Sequence, residues 1–162
     1  MERLMTATSE SRVICLPVDA SDYSTRTIQF AVNNIIKEND QIYLINVRRN
    51  CRDQLYLNPD ENAPPYFITD DQYRQIDAYE NDLSVRLMDT LAKPINAINK
   101  NVKKISVVGK DVRKTLDEKI EEIKPTIVIV GSRGLGLISR LRLGSVSQHM
   151  VHHCQSPVIV VP

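Results

Sequence analysis

Residues 126–147 read TIVIVGSRGLGLISRLRLGSVS. The β-branched apolar run from Thr126 to Val130 stops at Gly131, and Gly134, Gly136 and Gly144 then punctuate a loop that carries Arg133, Arg140 and Arg142. Gly144-Ser145-Val146-Ser147 opens a helical pattern. A short buried strand, a glycine-rich loop and a helix start, in that order, turn free backbone N–H groups and a helix dipole toward one point, which suits a phosphate.

The same alternation runs outward through the chain. Val13 to Val18, VICLPV, is continuously apolar rather than alternating, the pattern of a strand covered on both faces, and Pro17 ends it because it has no N–H for a ladder. Asp19 follows at its carboxyl end. Ile28, Ala31, Val32, Ile35 and Ile36 then recur at i, i+3, i+4, i+7 and i+8, which predicts an amphipathic helix with Ser21 and Ser24 as candidate caps. Gln41 to Val47 gives a second strand and Lys103 to Gly109 a third. Between those two lie a polar, proline-bearing excursion over 50–69 and a helical pattern over 70–101. Ile76, Leu83, Leu87, Leu91 and Ile95 form the apolar face of that pattern, and Pro94 is expected to kink or interrupt it. Val112, Leu116, Ile120 and Ile123 line a charged helix that Pro125 terminates, and Pro157 to Val161 supplies the last strand.

About five apolar strands alternating with about four helices predict an α/β fold, a parallel sheet with helices on both faces. At 162 residues the chain is read as one domain, 12–162, behind a flexible N-terminus, 1–11. A formal charge of +1 leaves no global case for nucleic acid or an anionic membrane as partner. Neither a signal-peptide core nor a run of roughly 20 apolar residues is found, so a cytoplasmic location is expected. Cys15, Cys51 and Cys154 match no zinc or redox spacing, and Cys15 and Cys154 read as small buried thiols, in keeping with a reducing compartment.

In parallel sheets of this kind ligands bind outside the carboxyl ends of the strands, where strand order reverses. Asp19, Val47, Gly109 and Gly131 all follow or end strands and can converge there. The glycine stretch lacks a P-loop lysine after Gly144, and GSRGLG is not GxGxxG. It reads Gly131, two residues, Gly134, nine residues, Gly144-Ser145. This closely resembles the ATP-binding signature of the universal stress protein family, G-x2-G-x9-G-[ST]. Pro17-Val18-Asp19, Asn46-Val47 and the closing VSQHMVHHCQSPVIVVP are similar to that family as well. Thr126, Pro94 and the 50–69 excursion depart from its pattern.

The resemblance implies a Rossmann-like, adenine nucleotide alpha hydrolase-like three-layer sandwich with sheet order 3-2-1-4-5. It implies that Asp19 faces the adenine, that Val47 holds the base, and that Val130 and Gly131 lie beside the ribose. Gly134, Gly144, Ser145, Val146 and Ser147 would wrap the phosphates of ATP or AMP, with Mg2+ bridging phosphate oxygens and no protein metal ligand. It further implies a homodimer through strand 157–161 and a nucleotide-dependent stress-response role with at most slow ATP hydrolysis. No catalytic residue is assigned.

Other readings stand beside these. Asp19 can be the cap of the first helix alone, and Ser145 and Ser147 can merely cap the last. An ATP-cleaving or nucleotidyl-transferring enzyme of the same fold, or a nucleotide-free dimeric scaffold, are the alternative functions. His149, His152 and His153 are expected on a solvated face of the last helix; the i, i+4 spacing of His149 and His153 lacks a third metal ligand.

Overall fold

The centre of the sheet is strand β1 (Val13–Pro17), where Ile14, Cys15 and Leu16 are each fully buried. The computed structural model describes residues 11–50, 69–135 and 143–162. Around β1 run α1 (Asp22–Asn34), β2 (Gln41–Arg48), α2 (Asp70–Asn96), β3 (Val102–Val108), α3 (Val112–Ile123), β4 (Ile127–Gly131), α4 (Ser145–His153) and β5 (Val158–Val161). The strands pair in the order β3-β2-β1-β4-β5, and every pairing is parallel. The expected α/β sandwich and its strand order are therefore those observed.

The apolar run of β1 meets two cores because successive side chains point to opposite faces. Ile14 and Leu16 pack with Ile28, Ala31, Met88, Leu91 and Ile95 of α1 and α2. Cys15 turns the other way, toward Leu116 and Ile120 of α3 and Met150 of α4. Fully burying each such aliphatic side chain stabilises the fold by roughly 1.5–3 kcal/mol.

Several local expectations are corrected. Helix α2 starts at a capping box, in which the Thr69 hydroxyl accepts from Gln72 N–H and the Gln72 side chain accepts from Thr69 N–H, and it runs to Asn96 with Pro94 inside it. Pro94 does not interrupt the helix because it falls in the last turn, where few bonds remain to be lost. Leu83 is 43% exposed; the buried stripe lies beside it, through Ser84, Met88, Leu91 and Ile95. Ser84 is buried because its hydroxyl donates to Asn46 Oδ1 at 2.8 Å. Ser21 is the N-cap of α1 without a side-chain cap bond, and Ser24 lies inside the first turn. Cys154 is half-buried and free. The 50–69 excursion and the 1–11 segment fall, but for Ser11, Asn50 and Thr69, outside the described residues, as do Cys51, Gly136, Arg140 and Arg142.

At the amino end of the sheet, Asp40 is buried at 3% exposure and accepts from Arg12 Nε at 2.9 Å, from Arg12 Nη2 at 2.7 Å and from Lys37 N–H at 2.7 Å. The network ties the start of β1 to the turn before β2, at the end opposite the ligand-binding edge.

Candidate functional site

Strand order reverses between β1 and β4, so their carboxyl ends open a crevice. Asp19 stands there as a junction. Its Oδ1 accepts from Ser21 N–H at 3.1 Å, from the Ser21 hydroxyl and from the Ser24 hydroxyl at 2.8 Å, while Asp19 N–H donates to Ser24 Oγ at 2.8 Å. Its Oδ2 accepts from Leu135 N–H at 3.1 Å, across the crevice in the loop after β4. Asp19 thus orders the entry to α1 with one oxygen and holds the glycine loop with the other. Asp19 is not itself the cap of α1, whose N-cap is Ser21; it braces that residue with one oxygen and turns the other toward the loop after β4.

Val47 lies two residues beyond Ile45, the last β2 residue in register with β1. Ile45 carbonyl accepts from Val18 N–H at 2.8 Å, so Ile45 turns its backbone groups toward β1. Alternation along the strand gives Val47 N–H and C=O the same direction, past the end of the β1 ladder. Asn46 secures this edge: its amide donates to Val18 carbonyl at 2.8 Å. The Val47 side chain packs against the buried cluster that includes Ile45, Leu116 and Ile120, on the α3 face of the sheet.

Val130 is buried, and Gly131 closes β4. A Cβ on Gly131 would stand 3.0 Å from Tyr23 Cβ and 3.0 Å from Thr27 Oγ1, so the missing side chain lets α1 pack on the end of β4. A Cβ on Gly134 would fall inside contact with Asp19 Oδ2, and one on Gly144 would lie 3.2 Å from Arg133 Cα. Ser132 N–H donates to Val161 carbonyl at 2.6 Å, and Gly144 N–H donates to Ser132 carbonyl at 2.8 Å, which brings the start of α4 back to the end of β4.

Helix α4 begins at Gly144 with no side-chain cap. The first intrahelical bond runs from Gln148 N–H to Gly144 carbonyl, so the N–H groups of Ser145, Val146 and Ser147 have no helical acceptor. The Ser147 hydroxyl does not supply one. It is buried and donates to Gly131 carbonyl at 2.6 Å. The Ser145 side chain is exposed.

Sequence reasoning missed three participants. Tyr23 and Arg133 meet across 110 positions, with Arg133 Nη1 donating to the tyrosine hydroxyl at 3.3 Å; Ser24 orients Asp19. Such distant pairs leave no periodic trace, although Arg133 stands inside the glycine signature. Gly109 is not at the crevice. It follows the edge strand β3, its N–H donates to Arg48 carbonyl at 2.9 Å, and a Cβ there would run into Thr115.

The histidines also divide. His149 is not on a solvated face: its Nε2 lies 2.7 Å from Asp117 Oδ2 of α3, while His152 and His153 are exposed. Among the described residues no three His, Cys, Asp or Glu side chains are grouped to hold a metal.

The model of the Universal stress protein family matches residues 10–162. The chain belongs to that family. Universal stress proteins PHOS32 and PHOS34 of Arabidopsis thaliana are each 32% identical to it over 93% of its length, and it spans 64% and 61% of theirs. Among solved structures, universal stress protein UspA from Lactobacillus plantarum shares the fold with a TM-score of 0.72 at 18% identity, covering 95% of this chain and 99% of that one. A family protein from Arabidopsis thaliana with AMP bound matches with a TM-score of 0.62 at 16% identity, over 93% of this chain and 90% of that one. A universal stress protein in complex with cAMP matches with a TM-score of 0.54 at 20% identity, over 94% and 98%. No helix among the described residues is long and apolar enough to cross a membrane.

Proposed function

We propose that this universal stress protein is an adenine-nucleotide-binding regulatory module in a stress response, taking ATP or AMP and hydrolysing ATP slowly at most. The observation that carries the reading is the start of α4 with no side-chain cap, on the same strand-end edge as Asp19: three helix N–H groups that have no acceptor within the helix lie at the crevice that Asp19 and the Val47 backbone border. Helix N–H groups and the dipole suit phosphate. The Val47 N–H and C=O suit the ring nitrogen and amino group of a base, and the Asp19 carboxylate suits an amino or hydroxyl donor. Val130, Gly131 and Gly134 lie between these ends, and Gly144, Ser145, Val146 and Ser147 form the anion end. The AMP and cAMP complexes among structures of similar fold support an adenylate as ligand.

Mg2+ arriving with ATP belongs to the proposal. Such an ion would be carried by phosphate oxygens and water. Multiple-turnover kinetics with ATP, with Asp19→Ala as control, test the role of holder: at most slow release of phosphate is expected, and rapid turnover lost in Asp19→Ala contradicts it.

A cytoplasmic homodimer completes the reading. β5 is an edge strand, pairing with β4 on one side, and its free edge can extend the sheet into a second copy. Sedimentation at micromolar concentration should show a dimer, and a lone 18.4 kDa species contradicts it.

A further inference from the structure

Two guanidinium groups meet at one tyrosine beside the anion end of the crevice. Tyr23 sits in the first turn of α1, against the end of β4. Arg133 Cζ lies 5.8 Å from its ring centroid, in addition to the bond to its hydroxyl, and Arg26 Cζ lies 5.4 Å from the same centroid. Neither arginine has a carboxylate partner among the described residues. A guanidinium has five N–H donors, and Arg133 gives one to Tyr23. Among the described residues the remaining donors and both charges have no carboxylate to meet, and Tyr23 sets them at the end of β4, to which the start of α4 also returns.

The location follows from packing. Arg133 Cα borders the site of a Gly144 Cβ, so its backbone frames the start of α4, and its side chain crosses to α1, away from β2 where a base would lie. Backbone N–H groups supply only partial charge, about half an elementary charge for a helix end. A monophosphate suits that supply, whereas a polyphosphate chain carries more negative charge and calls for cations. Arginine matches phosphate with a planar, bidentate fork.

Resting on the reading of the crevice as an adenylate site, we propose that Arg133, with Arg26 as a second cation and Tyr23 as the residue that positions both, makes this site prefer a nucleoside triphosphate to a monophosphate. In this proposal Tyr23 holds both guanidiniums at its ring and presents them to the outer phosphates.

Titration calorimetry at fixed ionic strength tests this with ATP, AMP and inorganic tripolyphosphate on the wild type, Arg133→Gln, Arg133→Lys and Tyr23→Phe. The wild type should bind ATP more tightly than AMP. Arg133→Gln should weaken ATP roughly tenfold, the worth of one charge-assisted bond, with AMP little changed. Arg133→Lys should fall between, because it keeps the charge and loses the fork. Tyr23→Phe keeps the ring and should reduce the ATP-to-AMP ratio by a smaller factor. An unchanged ratio in Arg133→Gln, or equal losses for both nucleotides, overturns the proposal. If no adenylate binds the wild type, the adenylate reading fails, and tripolyphosphate reads the arginine end separately: binding that Arg133→Gln weakens keeps it, and binding that is absent or indifferent to Arg133 removes it.

Discussion

Asp19 and Leu135 are joined by a hydrogen bond of 3.1 Å from the Leu135 amide to the Asp19 carboxylate, over 116 positions of sequence. This bond ties the segment after β1 to the loop after β4. The other carboxylate oxygen is fixed by Ser21 and Ser24, so Asp19 cannot turn away without losing the entry to α1. Asp19→Ala should therefore cost about 1–2 kcal/mol in stability, from stranded donors at a half-buried position, and should also weaken adenylate binding. Denaturant unfolding and calorimetry on the same variant check both effects.

The Ser147 hydroxyl and the Gly131 carbonyl form a second tie across the site. Both groups are buried, so Ser147→Ala leaves a carbonyl without that donor, at a cost of about 1–3 kcal/mol. The start of α4 should loosen with it. Hydrogen exchange of the Gln148 to Met150 amides, expected to quicken in the variant, reports this locally.

Gly109 makes a prediction about the fold rather than the ligand. An added methyl would run into the buried Thr115 side chain at the start of α3, and overpacking of this kind costs about 1–3 kcal/mol. Gly109→Ala should lower the melting temperature and leave adenylate affinity unchanged, since β3 lies at the edge of the sheet, separated from β4 by both β2 and β1. A loss of affinity without a loss of stability contradicts the placement.

Most of the architecture could be read from the chain because it is periodic. The apolar runs at 13–18, 126–130 and 157–161 are strands, and the helical spacing from Val112 to Ile123 is α3. What could not be read was carried by single side-chain pairs. Arg12 with Asp40, His149 with Asp117 and Tyr23 with Arg133 join residues 28, 32 and 110 positions apart, and no local pattern announces them. Leu83 shows the limit of periodicity itself: it keeps helical spacing, yet the buried face lies one residue on, at Ser84, whose hydroxyl donates to Asn46. At the site, the glycine spacing and Asp19 were visible, whereas the use of Gly131 to seat α1 required the packing.

Cys15 sets an alkaline limit. Burial, with Cys154 nearby, pushes its thiol from the ordinary 9.0 up to about 12. An unfolded chain ionises this thiol near pH 9.0 and the folded chain does not, so its contribution to stability is complete below pH 9.0 and is lost between pH 9.0 and about 12. At the acid end, hydrogen bonds from Arg113 pull the Asp111 carboxyl from 3.8 down to about 2; its contribution is present above pH 3.8 and is lost as pH falls toward about 2. Unfolding curves of wild type and Cys15→Ala across pH 8–11 should diverge in slope, the wild type falling more steeply. In native protein at pH 8, Cys15 should alkylate far more slowly than half-buried Cys154.

The central claim is that the crevice between Asp19, Val47 and the start of α4 holds an adenine nucleotide. Calorimetric titration of the wild type and of Gly134→Asp with ATP, AMP and cyclic AMP tests it most directly, because the added carboxylate would stand against Asp19 Oδ2 in the crevice. Saturable binding of an adenylate by the wild type, abolished in a variant whose circular dichroism is unchanged, is the predicted result. Absence of binding to the wild type, or equal affinity in Gly134→Asp, would contradict the account.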